Sequence, residues 1–115
     1  SNAYNLLSDA DAVVSTCEYD FPFFSGHELF ENNEIKPYFP HLLHGNIKRP
    51  TVVCVNSSFC WVKIDKFLKQ KTWLPKNLKA YNMPRSRSSD INTYDDWDRA
   101  EYLYNKFKLI KQSKD

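Results

Sequence analysis

Met83–Tyr104 reads MPRSRSSDINTYDDWDRAEYLY, and the chain is organised around it. The run parses as a short extended segment, an acidic turn and then an amphipathic helix. Asn92 or Thr93 can cap that helix, and Asp95 and Asp96 fall in its first turn, where free amides and the helix dipole favour negative charge. Behind the cap, Trp97, Ala100, Leu103, Tyr104 and Phe107 recur at helical spacing and make one apolar face. Ahead of it, Asp90-Ile91-Asn92 alternates polar and apolar as the end of a strand does. That period places Asp90 and Asn92 on one side and Ile91 in the core. Two oxygen-bearing side chains at a strand end could hold magnesium or a polar substrate. Spacing alone favours the plainer reading, in which both are turn formers and caps.

Working outward, Leu78 to Met83 reads as a strand leading into this run. Asp65 is expected to cap a short helix, Lys66 to Lys71, with Phe67 and Leu68 on its apolar side. Thr51 to Val55 and Phe59 to Ile64 read as two extended pieces, and Ala12 to Tyr19 as a buried strand carrying Val13, Val14 and Thr16. Glu28 to Glu31, Asn32-Asn33 and Glu34 to Phe39 form an expected hairpin, since asparagine tolerates positive φ. The Phe21-Pro22-Phe23-Phe24 cluster is either a core-capping loop or a patch covered by another part or subunit. Tyr4 to Ser8 reads as the end of a helix. Strands followed by helices and a return to the sheet predict a three-layer α/β arrangement whose strands belong to a larger sheet.

His41 and His44 could share a helical face and bind metal, but no cysteine or carboxylate stands nearby at ligand spacing, so solvent-facing histidines are the better reading. Lys48 and Arg49 suit an anionic substrate, because a planar guanidinium matches a carboxylate or phosphate.

Composition bounds the possibilities. The 115 residues allow one domain at most, and 42% apolar and 16% aromatic residues supply material for a core. The formal charge of +2 is too balanced to argue for nucleic acid, and the lysines from Lys106 to Lys114 read as a solvated helix end. No run is long enough to span a membrane, and nothing resembles a signal peptide. Three cysteines without C-x-x-C spacing fit a reduced, cytoplasmic setting, with Cys17 and Cys54 buried in strands. Ser1-Asn2-Ala3 reads as the remnant of a cleaved tag, leaving 4–115 as the domain.

The run from Met83 resembles the carboxy-terminal signature of the N-acylneuraminate cytidylyltransferases, in which M-P-x-x-x-S/A-x-D-I-D-T precedes a final helix containing D-x-x-x-A-E. Met83-Pro84, Asp90-Ile91, Thr93 and Asp96-Ala100-Glu101 match that pattern. Asn56-Ser57-Ser58-Phe59-Cys60-Trp61 is similar to the family's N-G-A segment, Leu74-Pro75-Lys76-Asn77 with Tyr81 to the stretch before Met-Pro, and Asp11 to Pro22 to the strand opening the second half. The resemblance implies the carboxy-terminal part of a three-layer, Rossmann-like nucleotidyltransferase fold, with residues 61–82 as a dimerisation arm.

The function it implies is activation of a sialic-acid-type sugar: CTP and a nonulosonic acid give the CMP-sugar and pyrophosphate, in a homodimer. The family's Gly-rich phosphate loop has no counterpart here, since the only glycines are Gly26 and Gly45, so the chain alone is expected to be inactive. Carried over residue by residue, Asp90 and Asn92 fall at the magnesium positions, with Asn92 replacing an acid and weakening the metal. Asn56, Cys60 and Arg49 fall at sugar-binding positions, with Cys60 where a tyrosine is usual. Trp73 and Leu74 fall where an apolar pair reaches the partner subunit's sugar site; residue types alone would place them in ordinary packing. The alternative is a non-catalytic sugar-binding or protein-interaction domain of the same fold.

Overall fold

The computed structural model describes residues 2–114. Its centre is β1, Ala12–Glu18, buried from Ala12 through Cys17. Valine, threonine and cysteine suit a strand covered on both faces, and β1 has a neighbour on each side. It pairs antiparallel with β4, Val53–Val62, and parallel with β5, Leu78–Met83, so the sheet order is β4-β1-β5. The entrance to β1 is stitched on both sides: the Asp11 N–H donates to the Asn77 carbonyl, and the Lys63 N–H donates to the Asp11 carbonyl. The mixed α/β class is therefore observed.

The hairpin forms as β2, His27–Leu29, and β3, Ile35–Pro37, with Asn33 at φ 67 in the turn. Helix α1 spans Asn2–Asn5, α2 Ile64–Gln70 and α3 Tyr94–Lys114. The aromatic cluster after β1 is real: Phe23, Phe24 and Phe39 stack on one another, with Tyr19 against Phe23.

Several expectations are corrected. The two extended pieces around Asn56 are one strand. While β1 advances from Val14 to Thr16, β4 runs from Cys60 back to Val55, so the expected break is a wide bulge. Ser15 holds it: its hydroxyl donates to the Phe59 carbonyl and accepts the Phe59 N–H, which satisfies a fully buried polar side chain. Ser57 sits in the bulge at φ 62, a conformation that favours glycine. Asp65 does not cap α2. The helix begins after Lys63 without a side-chain cap, and Asp65 lies in its first turn.

Residues 90–92 are irregular rather than strand, and Ile91 is exposed, because the chain turns after Pro84 through a short 3-10 helix. Of residues 61–82, Trp61 and Val62 close β4 and 78–82 lie in β5, so only 63–77 stand outside the sheet. Ser1 of the expected tag remnant lies outside the described residues, but Ala3 is buried in α1 and belongs to the fold.

A three-layer core is not enclosed by the described residues. The buried apolar residues are Ala3, Ala10, Ala12, Val13, Val14 and Cys17, all small. The accessible surface is 9481 Å², against about 6,600 Å² for a compact protein of this mass. The radius of gyration is 18.2 Å, against about 13 Å for a compact chain of this length. On α3, Trp97, Tyr104 and Phe107 are exposed along the expected apolar face.

Candidate functional site: a cleft beyond the parallel strands

A cleft of about 530 Å³, lined by charged and polar side chains, opens where β1 and β5 end. The loop after β1 (Tyr19 to Phe23) and the turn after β5 (Arg85 to Asp90) form two walls, and the start of β4, with Cys54 and Asn56, forms the floor. Ligand sites in α/β sheets favour this place, because adjacent parallel strands deliver their loops to one side there.

The floor is fixed by a buried pair. Asn56 is 5% exposed and Ser88 1%, and the Asn56 amide donates to the Ser88 hydroxyl at 2.7 Å. The Asn56 carbonyl oxygen accepts the Ser58 N–H at 3.2 Å, an Asx turn that supports the left-handed Ser57. One side chain thus ties the bulge in β4 to the turn after β5.

Arg85 joins the walls. Its Nε and one terminal nitrogen donate to the two carboxylate oxygens of Asp20 at 2.6 and 2.8 Å, and its other terminal nitrogen donates to the Ser88 carbonyl at 2.7 Å. The hydrogen bond from Arg85 holds the Asp20 carboxyl below its usual range, against a smaller opposing effect of burial. Arg99 reaches back from α3 to the Ser88 and Arg85 carbonyls, fastening the helix to the cleft wall.

Helix α3 begins as its sequence predicts. Thr93 Oγ1 accepts the Asp96 N–H, and the Asp96 carboxylate accepts the N–H groups of Asn92 and Thr93, a reciprocal cap with aspartate in the usual place of glutamate. Those bonds, that from Asn92 first, lower the Asp96 carboxyl's pKa.

Of the sequence-predicted site residues, Asn56 and Asp90 line the same cleft. Asn92 does not join them. It borders a separate hollow beside Trp97, and its backbone N–H is held by Asp96. Arg49 lines the neighbouring hollow across the post-β1 loop, and its Nε donates to the Leu42 carbonyl. Cys60 borders a hollow with Ala3, Phe59 and Tyr81, because a strand residue four places from Asn56 is carried along β4 past the bulge. Trp73 and Leu74 are exposed on the segment after α2, and the Trp73 ring packs on Phe67 at 4.5 Å. The sequence reading missed Asp20, Arg85, Ser88 and Arg99. Only Asp20 and Arg85, acid and base just beyond two strand ends, carried a signal that could have found them.

Four carboxylates (Glu18, Asp20, Asp90 and Asp96) and two guanidiniums line the cleft. Both guanidiniums already have partners, so the lining favours a ligand rich in hydroxyls, or one accompanied by a cation, over a bare anion. Asp90 and Asn92 do not form one ligand set, and among the described residues no three histidine, cysteine or acidic side chains form a metal-holding group. Asp90 shares its cleft with Glu18, Asp20 and Asp96 rather than with Asn92. No helix among the described residues is long and apolar enough to cross a membrane. Compared with protein-family models and with curated proteins, the chain matches none.

Proposed function

We propose that this chain is the sugar-side portion of a cytidylyltransferase that activates a sialic-acid-type sugar with CTP, and that it completes a three-layer fold together with a phosphate-binding half. The observation that carries the reading is the shared cleft: Asn56 on its floor and Asp90 on its wall, beyond the ends of parallel strands. Two others support it. Ser57 holds a left-handed backbone at the position where the resembling family carries the glycine of its N-G-A segment. The excess of accessible surface, with β4 and β5 as open sheet edges among the described residues, is what a portion of a larger sheet exposes.

In this reading the sugar's hydroxyls face Asp90, and the Asn56–Ser88 pair keeps the floor rigid. Rigid placement lowers the entropy cost of bringing the attacking hydroxyl to the nucleotide. Residues 63–77, with Trp73 and Leu74 exposed, would form the contact to a partner subunit.

The test is pyrophosphate release from CTP and N-acetylneuraminate by the chain joined to a phosphate-binding half, with Asp90→Ala as the control. Release lost in the control supports the transferase; absence of release overturns it. The placement of Asn92 and Cys60 outside the cleft favours a second reading, a non-catalytic sugar-binding domain. Release itself separates the two, since binding of N-acetylneuraminate without release of pyrophosphate is expected only of the non-catalytic domain.

A further inference from the structure

The floor of the cleft carries two thiols that the sugar reading leaves unused. Cys17 lies at the end of β1 and Cys54 at the start of β4, and the two are directly opposed in the antiparallel register. Their sulfurs are 3.6 Å apart, and the Cys54 thiol also lies 3.5 Å from the Cys17 carbonyl oxygen. Both residues line the cleft, Cys54 half-buried and Cys17 2% exposed.

We propose that Cys17 and Cys54 are an oxidation site: a peroxide entering the cleft converts the pair into an intrachain disulfide. Opposed residues on antiparallel strands have Cα atoms about 4.5 or 5.5 Å apart, and both values lie within the range a disulfide spans. The sulfurs must close to about 2.0 Å, which small side-chain rotations supply without sliding the strands.

The chemistry balances with peroxide as the sole oxidant. The Cys54 thiolate, being the more accessible, attacks one peroxide oxygen; the O–O bond breaks, a sulfenic acid forms, and hydroxide leaves to take up the thiol's proton as water. The Cys17 sulfur then attacks the sulfenic sulfur, the S–O bond breaks, and the second oxygen departs as water with the Cys17 proton. Two thiols lose two electrons, and one peroxide becomes two waters. Burial, and after it the neighbouring Cys17 thiol, pushes the Cys54 thiol above its ordinary value. Attack at neutral pH is therefore slow, and peroxide is supplied in excess.

Cys60 is the internal control. It is exposed on β4, opposite Val14 and away from the pair. The folded chain is treated with hydrogen peroxide, then denatured and its free thiols counted, with intact mass and gel mobility recorded. The count is expected to fall from three to one, with loss of two hydrogens, no dimer, and full reversal by dithiothreitol. Cys60→Ser keeps the cross-link; Cys17→Ser and Cys54→Ser each abolish it. Three thiols persisting, oxygen added without a cross-link, a disulfide that survives Cys54→Ser, or one that forms only between chains would each overturn the proposal.

Discussion

Replacing Ser88 by alanine isolates the contact on which the cleft floor depends. In the native chain the Asn56 amide donates to the Ser88 hydroxyl at 2.7 Å, and its other neighbour is the Met83 sulfur at 3.7 Å, a weak acceptor. Both residues are almost fully buried, so water cannot replace the lost oxygen without entering the packed turn. An ordinary hydrogen bond contributes about 0.5–1.5 kcal/mol net, but a buried donor left unpaired costs about 1–3 kcal/mol. Ser88→Ala is therefore expected to destabilise by about 1–3 kcal/mol, a fall in Tm of about 4–12 °C. Urea denaturation of the wild type, Ser88→Ala, Asn56→Ala and the double variant forms a cycle. The two single losses should overlap by at least about 0.5 kcal/mol, since each removes the same bond. Additive losses, or a Ser88→Ala cost below about 0.5 kcal/mol, would refute a locked floor.

Three other substitutions probe the elements around it. Ser57→Gly should stabilise the chain by up to about 1 kcal/mol in denaturant melts, because Ser57 occupies a left-handed conformation at φ 62 that costs a residue with a Cβ. Asp20→Asn should cost about 0.2–1 kcal/mol at neutral pH, a value reduced by the solvent exposure of the Arg85–Asp20 pair. Because Arg85 lowers the Asp20 carboxyl, the pair's contribution is full above the ordinary value of 3.8 and is lost as pH falls through the lower folded value. Melts of wild type and variant should accordingly converge only in strong acid. Thr93→Ala removes the oxygen that receives the Asp96 N–H and should cost about 1 kcal/mol, read as lost helical circular dichroism and a lower midpoint.

What the sequence made legible follows from where local forces decide. Strand β5 and the α3 start were read correctly because Thr93 and Asp96 write the cap into the chain, and a valine-rich run like β1 has few alternatives. The Asn32-Asn33 turn was legible for the same reason. The bulge in β4 was not, since it depends on Ser15, a residue on another strand, bonding both polar groups of Phe59. Alternation at Asp90-Ile91-Asn92 suggested a strand, but no neighbour pairs with it, and the turn after Pro84 left Ile91 in solvent. Asn56 and Asp90 were brought together by sheet order, whereas Asn92 is held in the α3 cap by Asp96, Arg49 is tied to the Leu42 carbonyl, and Cys60 is carried along β4 past the bulge. The apolar stripe of α3 was recognised, yet periodicity cannot say what covers it: Ala100 and Leu103 line a hollow shared with the post-β5 turn, while Trp97 remains 58% exposed.

Amide chemical-shift mapping of the chain titrated with N-acetylneuraminate tests the central claim most directly. A sugar-side cleft predicts saturable shifts centred on Asn56, Ser88 and Asp90 that vanish in Asp90→Ala. Shifts confined to the hollow beside Arg49, or none at millimolar sugar, would contradict it.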